Sequence, residues 1–330
     1  MPINIPGFAG GDRTNIDLPQ MQQDLLRDLV AIGKPVVLVL MNGSALAVNW
    51  ADEHVPAILE AWYPGEEGGT AVAEALAGDF SPSGKLPVTF YKSVDQLPPF
   101  DNYDMKGRTY RSFTGEPLYP FGYGLSYTNL AFSNLKFDKD SLGANDDLTA
   151  TVEVKNAGKM AGDAVVQLYV SHPGVDGAPI RSLAGIQRLS LNPGESKSVS
   201  IQIPNRNLSV VTPDGTRRIV PGDVQIWAGD GQPVARVGLA KAAGIAGCPA
   251  PDRHSWAWSP ETDGDPDRFS LQPASPCECR ADDSESRYAS GKNEDRPTRQ
   301  HFPRAGDSGS INPVSLLVFV SGGMAFLYFP

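Results

Sequence analysis

The chain has 330 residues, of which 41% are hydrophobic and 8% aromatic, and its formal net charge is −10. This length and composition predict about two globular domains with ordinary cores. Because the charge is negative and basic residues are not clustered, we expect no nucleic-acid partner. All three cysteines lie beyond residue 245. The first three quarters of the chain therefore use neither disulfides nor cysteine-ligated metal.

The first 18 residues predict an irregular loop, because prolines and glycines interrupt any helical or extended period. Within it, Asp12 and Arg13 follow two glycines, so a carboxylate and a guanidinium sit on a backbone that can approach a ligand closely. A salt-bridged surface turn is the alternative interpretation. We expect no signal peptide, because this end has neither a basic nor an apolar leader. An opening loop without a preceding helix or strand suggests that the sequence starts inside a domain.

Residues 17–90 alternate between helical and extended patterns, which is typical of a parallel sheet with crossover helices. The apolar run VVLVLM is typical of a buried parallel strand. The predicted order is a helix from residue 17 or 18 to Gly33, a strand at Val36–Met41, a short helix at Ala45–Glu53, a strand at Ala57–Trp62, a helix from Gly69 to Gly78, and a strand at Leu86–Phe90.

The loop Tyr63–Gly69 lies between a predicted strand and the next helix. Ligands of open α/β sheets bind outside the carboxyl ends of the strands, so this loop is the first place to look for a functional site. Glu66 and Glu67 are its candidate residues, since carboxylates are favoured at the positive end of a helix dipole. The alternative is that both glutamates only solvate the start of a helix.

Residues 91–128 have little periodicity but many aromatic and turn residues, as in the run YPFGYG. Ordered loops of this length usually serve function or join domains. We interpret the aromatic residues as packing between two domains. Arg108, Tyr110 and Arg111 are the residues of this segment that would alternatively reach a ligand.

Between residues 130 and 241 the hydrophobic period changes to two. About seven short strands, separated by turn signals such as Asn192-Pro193-Gly194, predict a β-sandwich of the immunoglobulin or fibronectin type. His172 falls in one of the turns and has no second histidine at ligand spacing, so we expect an ordinary surface residue.

After about Ala243 the composition changes again. Residues 247–311 are rich in proline, serine, aspartate and arginine, and we expect them to be disordered. Cys277 and Cys279 lack a second ligand pair, so an incidental thiol pair is favoured over a zinc site. Residues 314–329 are apolar but shorter than a spanning helix, which leaves a marginal membrane anchor or an apolar tail without function. Translation of the segment after Ala243 in a reading frame other than the ancestral one would also explain both changes of composition.

Five segments occur together and in order: GGDRTNIDLP, VVLVLMNGSALAVNWA, AWYPGEEGGTAVAEAL, SGKLPVTF, and KGRTYR with YPFGYGLSYT. In this order and spacing they resemble the C-terminal half of glycoside hydrolase family 3, the bacterial β-glucosidases and β-xylosidases, over residues 1 to about 240. The resemblance implies a retaining β-glycosidase built from a barrel, an α/β sandwich domain and a fibronectin type III-like domain. Retaining hydrolysis uses two carboxyl groups, a nucleophile and an acid/base.

The resemblance also implies that neither catalytic carboxylate is in this sequence. The family's nucleophile lies on the barrel, and its acid/base glutamate lies just upstream of the position of Met1. Asp12 and Arg13 would support the acid/base loop, and Glu66 and Glu67 would brace the neighbouring strand-to-helix turn. The implied partners are β-linked gluco- or xylo-oligosaccharides and the barrel domain, with no metal or cofactor. A periplasmic or secreted location follows only by analogy with the family.

The predicted fold class is an α/β parallel-sheet partial sandwich domain, then an all-β fibronectin type III-like sandwich, then a disordered C-terminal tail. The predicted domain boundaries are 1–90, 91–128 for the aromatic linker, 129–242 and 243–330. For residues 314–329 we favour an apolar tail over membrane contact. A non-catalytic carbohydrate-binding or accessory protein is the alternative function.

Overall fold

The computed structural model describes residues 15–143, 145–232, 239–245, 258–260, 269–271, 315–320 and 323–328. The chain divides into two compact units, one formed by Met1–Ala246 with Gln300–Pro330 and the other by Gly247–Arg299. Asp12, Arg13, Cys277 and Cys279 lie outside the described residues. The predictions made for these four residues therefore stay predictions.

Helices and short strands alternate in the first part of the chain, and strands predominate from residue 130 onward. The helices are α1 (Gln20–Ala31), α2 (Asn49–His54), α3 (Gly68–Ala77), α4 (Thr109–Ser112) and α5 (Asn205–Leu208), with a 3₁₀ turn at Val94–Gln96. The strands are β1 (Val36–Met41), β2 (Ala57–Glu60), β3 (Leu130–Phe137), β4 (Ser141–Leu142), β5 (Leu148–Asn156), β6 (Gly162–Ser171), β7 (Ser182–Leu191), β8 (Ser196–Ile203), β9 (Val210–Val211), β10 (Arg217–Arg218), β11 (Gly222–Gly229), β12 (Leu239–Ile245), β13 (Trp258–Pro260), β14 (Phe269–Leu271), β15 (Ser315–Val320) and β16 (Gly323–Tyr328).

The α/β part is centred on β1, which pairs in parallel with β2 and with β15. Alternate residues of β1 serve two hydrophobic clusters. Leu38 and Leu40 pack with α1 and α2, whereas Val37 and Val39 pack with residues of α3. Burial on both faces explains why β1 is a continuous apolar run and not an alternating one.

The predicted helices and first two strands are present, but α2 begins at Asn49 and not at Ala45, and β2 ends at Glu60 and not at Trp62. Glycines at positive φ follow α1 and end α3 (Gly33 and Gly78).

The strand predicted at Leu86–Phe90 is wrong. Its backbone instead pairs irregularly with residues 119–123: the N–H of Leu86 donates to the carbonyl of Tyr123, and Phe90 forms an isolated antiparallel bridge with Tyr119. Pro87 lies between these two contacts and has no N–H to donate. A regular strand with bonds on both edges is therefore not available at this position.

Parts of the C-terminal tail are regular in the structure, although the sequence indicated no elements there. β13 pairs with β14 in the second unit. In the first unit, β15 and β16 form an antiparallel pair, and β15 extends the sheet beside β1. Parallel pairing of an apolar run with β1 satisfies the backbone groups of that edge. The rest of residues 247–330 lies outside the described residues.

The all-β part consists of a three-stranded sheet, β3-β5-β8, and a five-stranded sheet, β4-β12-β11-β6-β7. Strand β5 alternates strictly between buried and less buried residues, as the two-residue period predicts. Its inward side chains join those of β6 and β11 in one core between the sheets. This is the sandwich expected from the sequence. β12 continues to Ile245, beyond the predicted boundary at 242.

Aromatic residues of the segment 91–128 contact both the α/β part and the all-β part of the first unit. Phe121 stacks on Tyr110 with ring centroids 4.1 Å apart and meets Tyr169 of β6 edge-on. The Tyr127 hydroxyl donates to the carbonyl of Ala75 in α3 over 2.9 Å. These contacts are the ones that an aromatic tie between domains requires.

Candidate functional site

The carboxyl ends of β1 and β2 meet at one edge of the parallel sheet. β1 is followed there by Asn42-Gly43-Ser44, and β2 by the turn that contains Trp62 and Tyr63. The two turns touch, because a Cβ on Gly43 would lie 2.6 Å from the Tyr63 ring. A side chain at position 43 would displace Tyr63. We call residues 42–44 together with 60–63 the carboxyl-edge site.

Glu60 is the charged group of this site. It ends β2 and lies on the same face as Ile58, which packs against the cluster of α1 and α2. Its Oε1 accepts a 3.0 Å hydrogen bond from the backbone N–H of Trp62, while its Oε2 is buried without a partner in the part of the chain that the structure describes. Burial raises the pKa of Glu60 to about 7, although the Trp62 bond acts in the opposite direction. Protonated and ionised forms of Glu60 are therefore both populated near neutral pH.

Asn42 is a second incompletely paired group at this edge. The side chain is only 6% exposed. Its Nδ2 donates to the carbonyl of Ser44, but its Oδ1 is buried without a hydrogen-bond partner among the described residues. A buried unpaired acceptor costs about 1–3 kcal/mol. Within the described ranges, two buried acceptors without a partner thus lie on adjacent strand ends of this edge.

The Trp62 backbone is strained, and its ring begins a row of aromatic contacts. Its φ is 52°, in the left-handed region that a tryptophan rarely adopts. The Trp62 ring meets Phe90 edge-on at 6.1 Å, and Phe90 in turn contacts Tyr119 at 6.0 Å. The Tyr119 hydroxyl donates to Asp52 of α2 over 2.7 Å. The strained turn is thereby fixed by the Glu60 hydrogen bond and by aromatic packing.

The glutamates predicted from the sequence lie just beyond this turn. Glu66 and Glu67 are both exposed, and α3 begins directly after them at Gly68. The Thr70 hydroxyl donates to the Glu67 carboxylate over 3.0 Å. Glu67 therefore contacts the first turn of α3, which agrees with a bracing role and with simple solvation of the helix start.

Two of the three linker residues proposed as alternative ligand contacts form hydrogen bonds within the protein. The Arg108 guanidinium donates to backbone carbonyls of its own loop, and the Tyr110 hydroxyl accepts a hydrogen bond from the N–H of Leu183 in β7 over 3.1 Å.

His172 was expected on the surface, and that prediction is wrong. His172 directly follows β6 and is only 8% exposed, and burial lowers the pKa of its imidazole.

The residues at the centre of the carboxyl-edge site, Asn42, Glu60 and Trp62, were not selected from the sequence. A signal was available in the run AILEAW, where a carboxylate interrupts an otherwise apolar strand at its carboxyl end. The described residues contain no group of three or more histidine, cysteine or acidic side chains placed to hold a metal. Among those same residues, we find no helix long and apolar enough to cross a membrane.

Comparison with known families assigns both parts of the chain. Residues 7–127 match the Glycosyl hydrolase family 3 C-terminal domain, and residues 164–232 match the Fibronectin type III-like domain. These ranges overlap the predicted α/β and β-sandwich parts and include the carboxyl-edge site.

Individual relatives agree with this assignment. A xylan 1,4-beta-xylosidase of Xylanibacter ruminicola is 43% identical over 230 residues, covering 69% of this chain and 26% of that protein. A periplasmic beta-glucosidase of Salmonella typhimurium is 40% identical, covering 66% of this chain and 30% of that protein. A solved β-glucosidase from Erythrobacter marinus is 36% identical with a TM-score of 0.64, covering 74% of this chain and 32% of that one. The chain thus spans between a quarter and a third of these relatives. It carries a Glycosyl hydrolase family 3 C-terminal domain followed by a Fibronectin type III-like domain.

Proposed function

We propose that this chain supplies one wall of the sugar cleft of a retaining β-glycosidase that hydrolyses β-glucosides or β-xylosides. The observation that carries the proposal is the match of residues 7–127 to a family 3 domain whose parallel sheet ends in the carboxyl-edge site. Open α/β sheets bind ligands at this edge. The relatives named as β-xylosidase and β-glucosidase support the two substrate classes.

We further propose that the chain does not turn over substrate without a barrel partner. Retaining hydrolysis needs two carboxyl groups about 5–5.5 Å apart, on either side of the scissile bond. Glu60 has the pKa expected of a general acid, but its Oε1 is bonded to the Trp62 N–H and its Oε2 is buried. A carboxyl group enclosed in this way does not reach a glycosidic oxygen. We therefore give Glu60 a positioning role and no catalytic one.

Supporting roles are proposed for the residues selected from the sequence. Asp12 and Arg13 would hold the loop that bears the acid/base group. Glu66 and Glu67 would shape the turn after Tyr63, and the Thr70 contact of Glu67 supports this for one of them. Replacing Glu67 by alanine in a complemented enzyme should raise KM more than it lowers kcat, since the change alters the shape of the wall and not the reacting groups.

The test is hydrolysis of p-nitrophenyl β-glucoside and β-xyloside in three samples. These are the chain alone, a barrel polypeptide from the Xylanibacter ruminicola relative cut before the shared 230 residues, and the two combined. We expect the buffer rate from each part and a rate that saturates with chain concentration from the mixture. Turnover by the chain alone would refute the proposed absence of catalytic carboxylates. Sugar binding without turnover in any mixture would instead support a non-catalytic accessory protein.

A further inference from the structure

The edge of β1 that faces away from β2 is covered by β15, which pairs with it in parallel over six residues. On the other edge, the Ala61 N–H donates to the Leu40 carbonyl, so the backbone groups of Leu40 point toward β2. Successive residues of a strand point their N–H and C=O groups to opposite edges. Those of Val37, Val39 and Met41 therefore point toward β15, which satisfies groups that would otherwise form an open edge.

The β1 edge favours a parallel strand that is apolar along its whole length. Side chains of β1 pack on one face with α1 and α2 and on the other face with α3. A strand added beside β1 continues the sheet between the same two layers, and strands covered on both faces are near-continuous apolar runs. The sequence of β15, SLLVFV, has this composition, as does that of β1, VVLVLM. The apolar run near the end of the chain thus fits this edge in composition as well as in pairing.

β15 and β16 form one hairpin. The two strands pair along their full length, and only Ser321 and Gly322 separate them in the sequence. Two-residue connections that contain glycine are typical of tight hairpins. Among the described residues, β16 pairs with no second strand, and β1 is the strand that joins the hairpin to the sheet. The hairpin can therefore leave the sheet as a unit.

The hairpin is connected to β1 far less directly than β2 is. β2 follows β1 after the short helix α2, whereas β15 follows it only after the whole β-sandwich. Closing a longer loop costs more conformational entropy. If the hairpin leaves, β1 still pairs with β2 and still packs against the three helices. Opening of the hairpin is therefore expected to be a local event that leaves the rest of the sheet folded.

We propose that β15 is an exchangeable strand, which closes the β1 edge until a polypeptide that completes a family 3 enzyme adds its own parallel apolar strand there. The identity of the partner rests on the proposed function. Most of the length of the β-xylosidase and β-glucosidase relatives lies outside the region they share with this chain, so they have further segments from which such a strand can come. While the hairpin is in place, it is an autoinhibitory contact that opposes assembly.

Hydrogen exchange of the β1 amides tests the pairing in the full chain. We expect the N–H groups of Val39 and Met41 to be protected in the parent and to lose protection about 10-fold or more in Leu317→Pro, since proline has no N–H and is excluded from central strands. Leu38 and Leu40, whose groups point toward β2, are internal controls and should change less than about 3-fold. An unprotected Val39 in the parent, or equal loss at all four amides, would overturn the proposal.

Leu317→Ala separates strand pairing from the loss of a side chain. This variant removes most of the leucine side chain but keeps the backbone N–H, which the parallel ladder directs at β1. Protection of Val39 should fall much less than in Leu317→Pro. Equal loss in the two variants would show that backbone pairing does not hold the hairpin, and it would overturn the proposal.

Binding to the barrel polypeptide of the Xylanibacter ruminicola relative tests the exchange itself. Sedimentation velocity would compare the parent chain with Leu317→Pro. The apparent affinity of a partner is reduced by the fraction of molecules whose edge is open, and protection of Val39 reports the same fraction. The variant should therefore bind more tightly, by roughly the factor by which Val39 loses protection. Equal affinity, or no binding by either chain, would overturn the proposal. A dimer of the variant that excludes the barrel polypeptide would assign the edge to a second copy and would overturn it as well.

The outcome is distinguishable from that of the turnover experiment. Turnover by the mixture at the same half-saturating concentration of parent and Leu317→Pro would support the proposed glycosidase and refute strand exchange. Tighter binding of the variant without any turnover would support strand exchange and refute the proposed catalysis.

Discussion

Replacement of Glu60 by glutamine should change how stability depends on pH. The pKa of Glu60 is raised by burial from an ordinary value of 4.5 to about 7. Below pH 4.5 the carboxyl is protonated in the folded and unfolded states, so it costs nothing. Between pH 4.5 and 7 the unfolded chain loses the proton while the folded chain keeps it, which lowers the free energy of unfolding. Above pH 7 the loss is complete.

The size of the effect follows from the same shift. Each pKa unit corresponds to about 1.36 kcal/mol, which gives an upper value of about 3 kcal/mol. Glu60 is only partly buried, so solvent screening reduces this, and we expect about half, ~1.5 kcal/mol. Glu60→Gln removes the titration but keeps the shape of the side chain. The stability of the variant relative to the parent should therefore rise by ~1.5 kcal/mol from pH 4.5 to 8.

Urea unfolding at several pH values measures this difference. Glu66→Gln is a matched control, because it makes the same substitution at an exposed carboxylate of the adjacent turn. If the stability difference between Glu60→Gln and the parent did not change with pH, the pKa of Glu60 would be the same in the folded and unfolded protein. The buried, Trp62-bonded state assigned to Glu60 would then be refuted.

Three other substitutions have outcomes set by single contacts. Lys85→Met leaves the partly buried Asp230 without its 2.7 Å ion pair, so urea unfolding should show a loss of about 1.5–3 kcal/mol, and adding Asp230→Leu should recover most of it. Failure of the double variant to recover stability would show that the pair itself is favourable. Gly122→Ala should lower the melting temperature, because φ is 78° and a Cβ would lie 2.6 Å from the Tyr169 hydroxyl. An unchanged melting temperature would contradict that packing. Leu38→Ala should cost about 2–5 kcal/mol in the same assay, since Leu38 is fully buried in the central strand, and a loss below about 1 kcal/mol would contradict its central place.

Most of the fold was predictable because the hydrophobic residues of its helices and strands recur at clear intervals. The run at Val36–Met41 is too short and too apolar for anything but a buried strand, and the two-residue alternation of Leu148–Asn156 indicates one face of a sandwich. Leu86–Phe90 was mistaken for a strand because composition does not reveal which backbone edge a segment meets. Its partner is the segment 119–123, and Pro87 prevents a regular ladder.

The sequence pointed to the sheet edge at which the candidate site lies but not to Asn42, Glu60 and Trp62, and the function of that edge stays a prediction. The rule for open sheets led to the loop after β2, and the structure places the unusual groups at that same edge. Sequence reasoning favoured Glu66 and Glu67 because they precede a helix, yet both are exposed. Glu60 was missed because its importance depends on burial and on the Trp62 turn, and neither can be read from composition. His172 was misplaced for the same reason, since a turn-like sequence says little about what packs over it.

The central claim is that this chain provides the C-terminal wall of a β-glycosidase cleft. The most direct measurement is the activity of a chimera in which residues 1–245 of this chain replace the matching 230 residues of the Xylanibacter ruminicola β-xylosidase. We expect the chimera to hydrolyse p-nitrophenyl β-xyloside and to release the β-anomer first by proton NMR, while the relative truncated before those residues is inactive. A folded chimera without turnover, or one that releases the α-anomer first, would contradict the proposal.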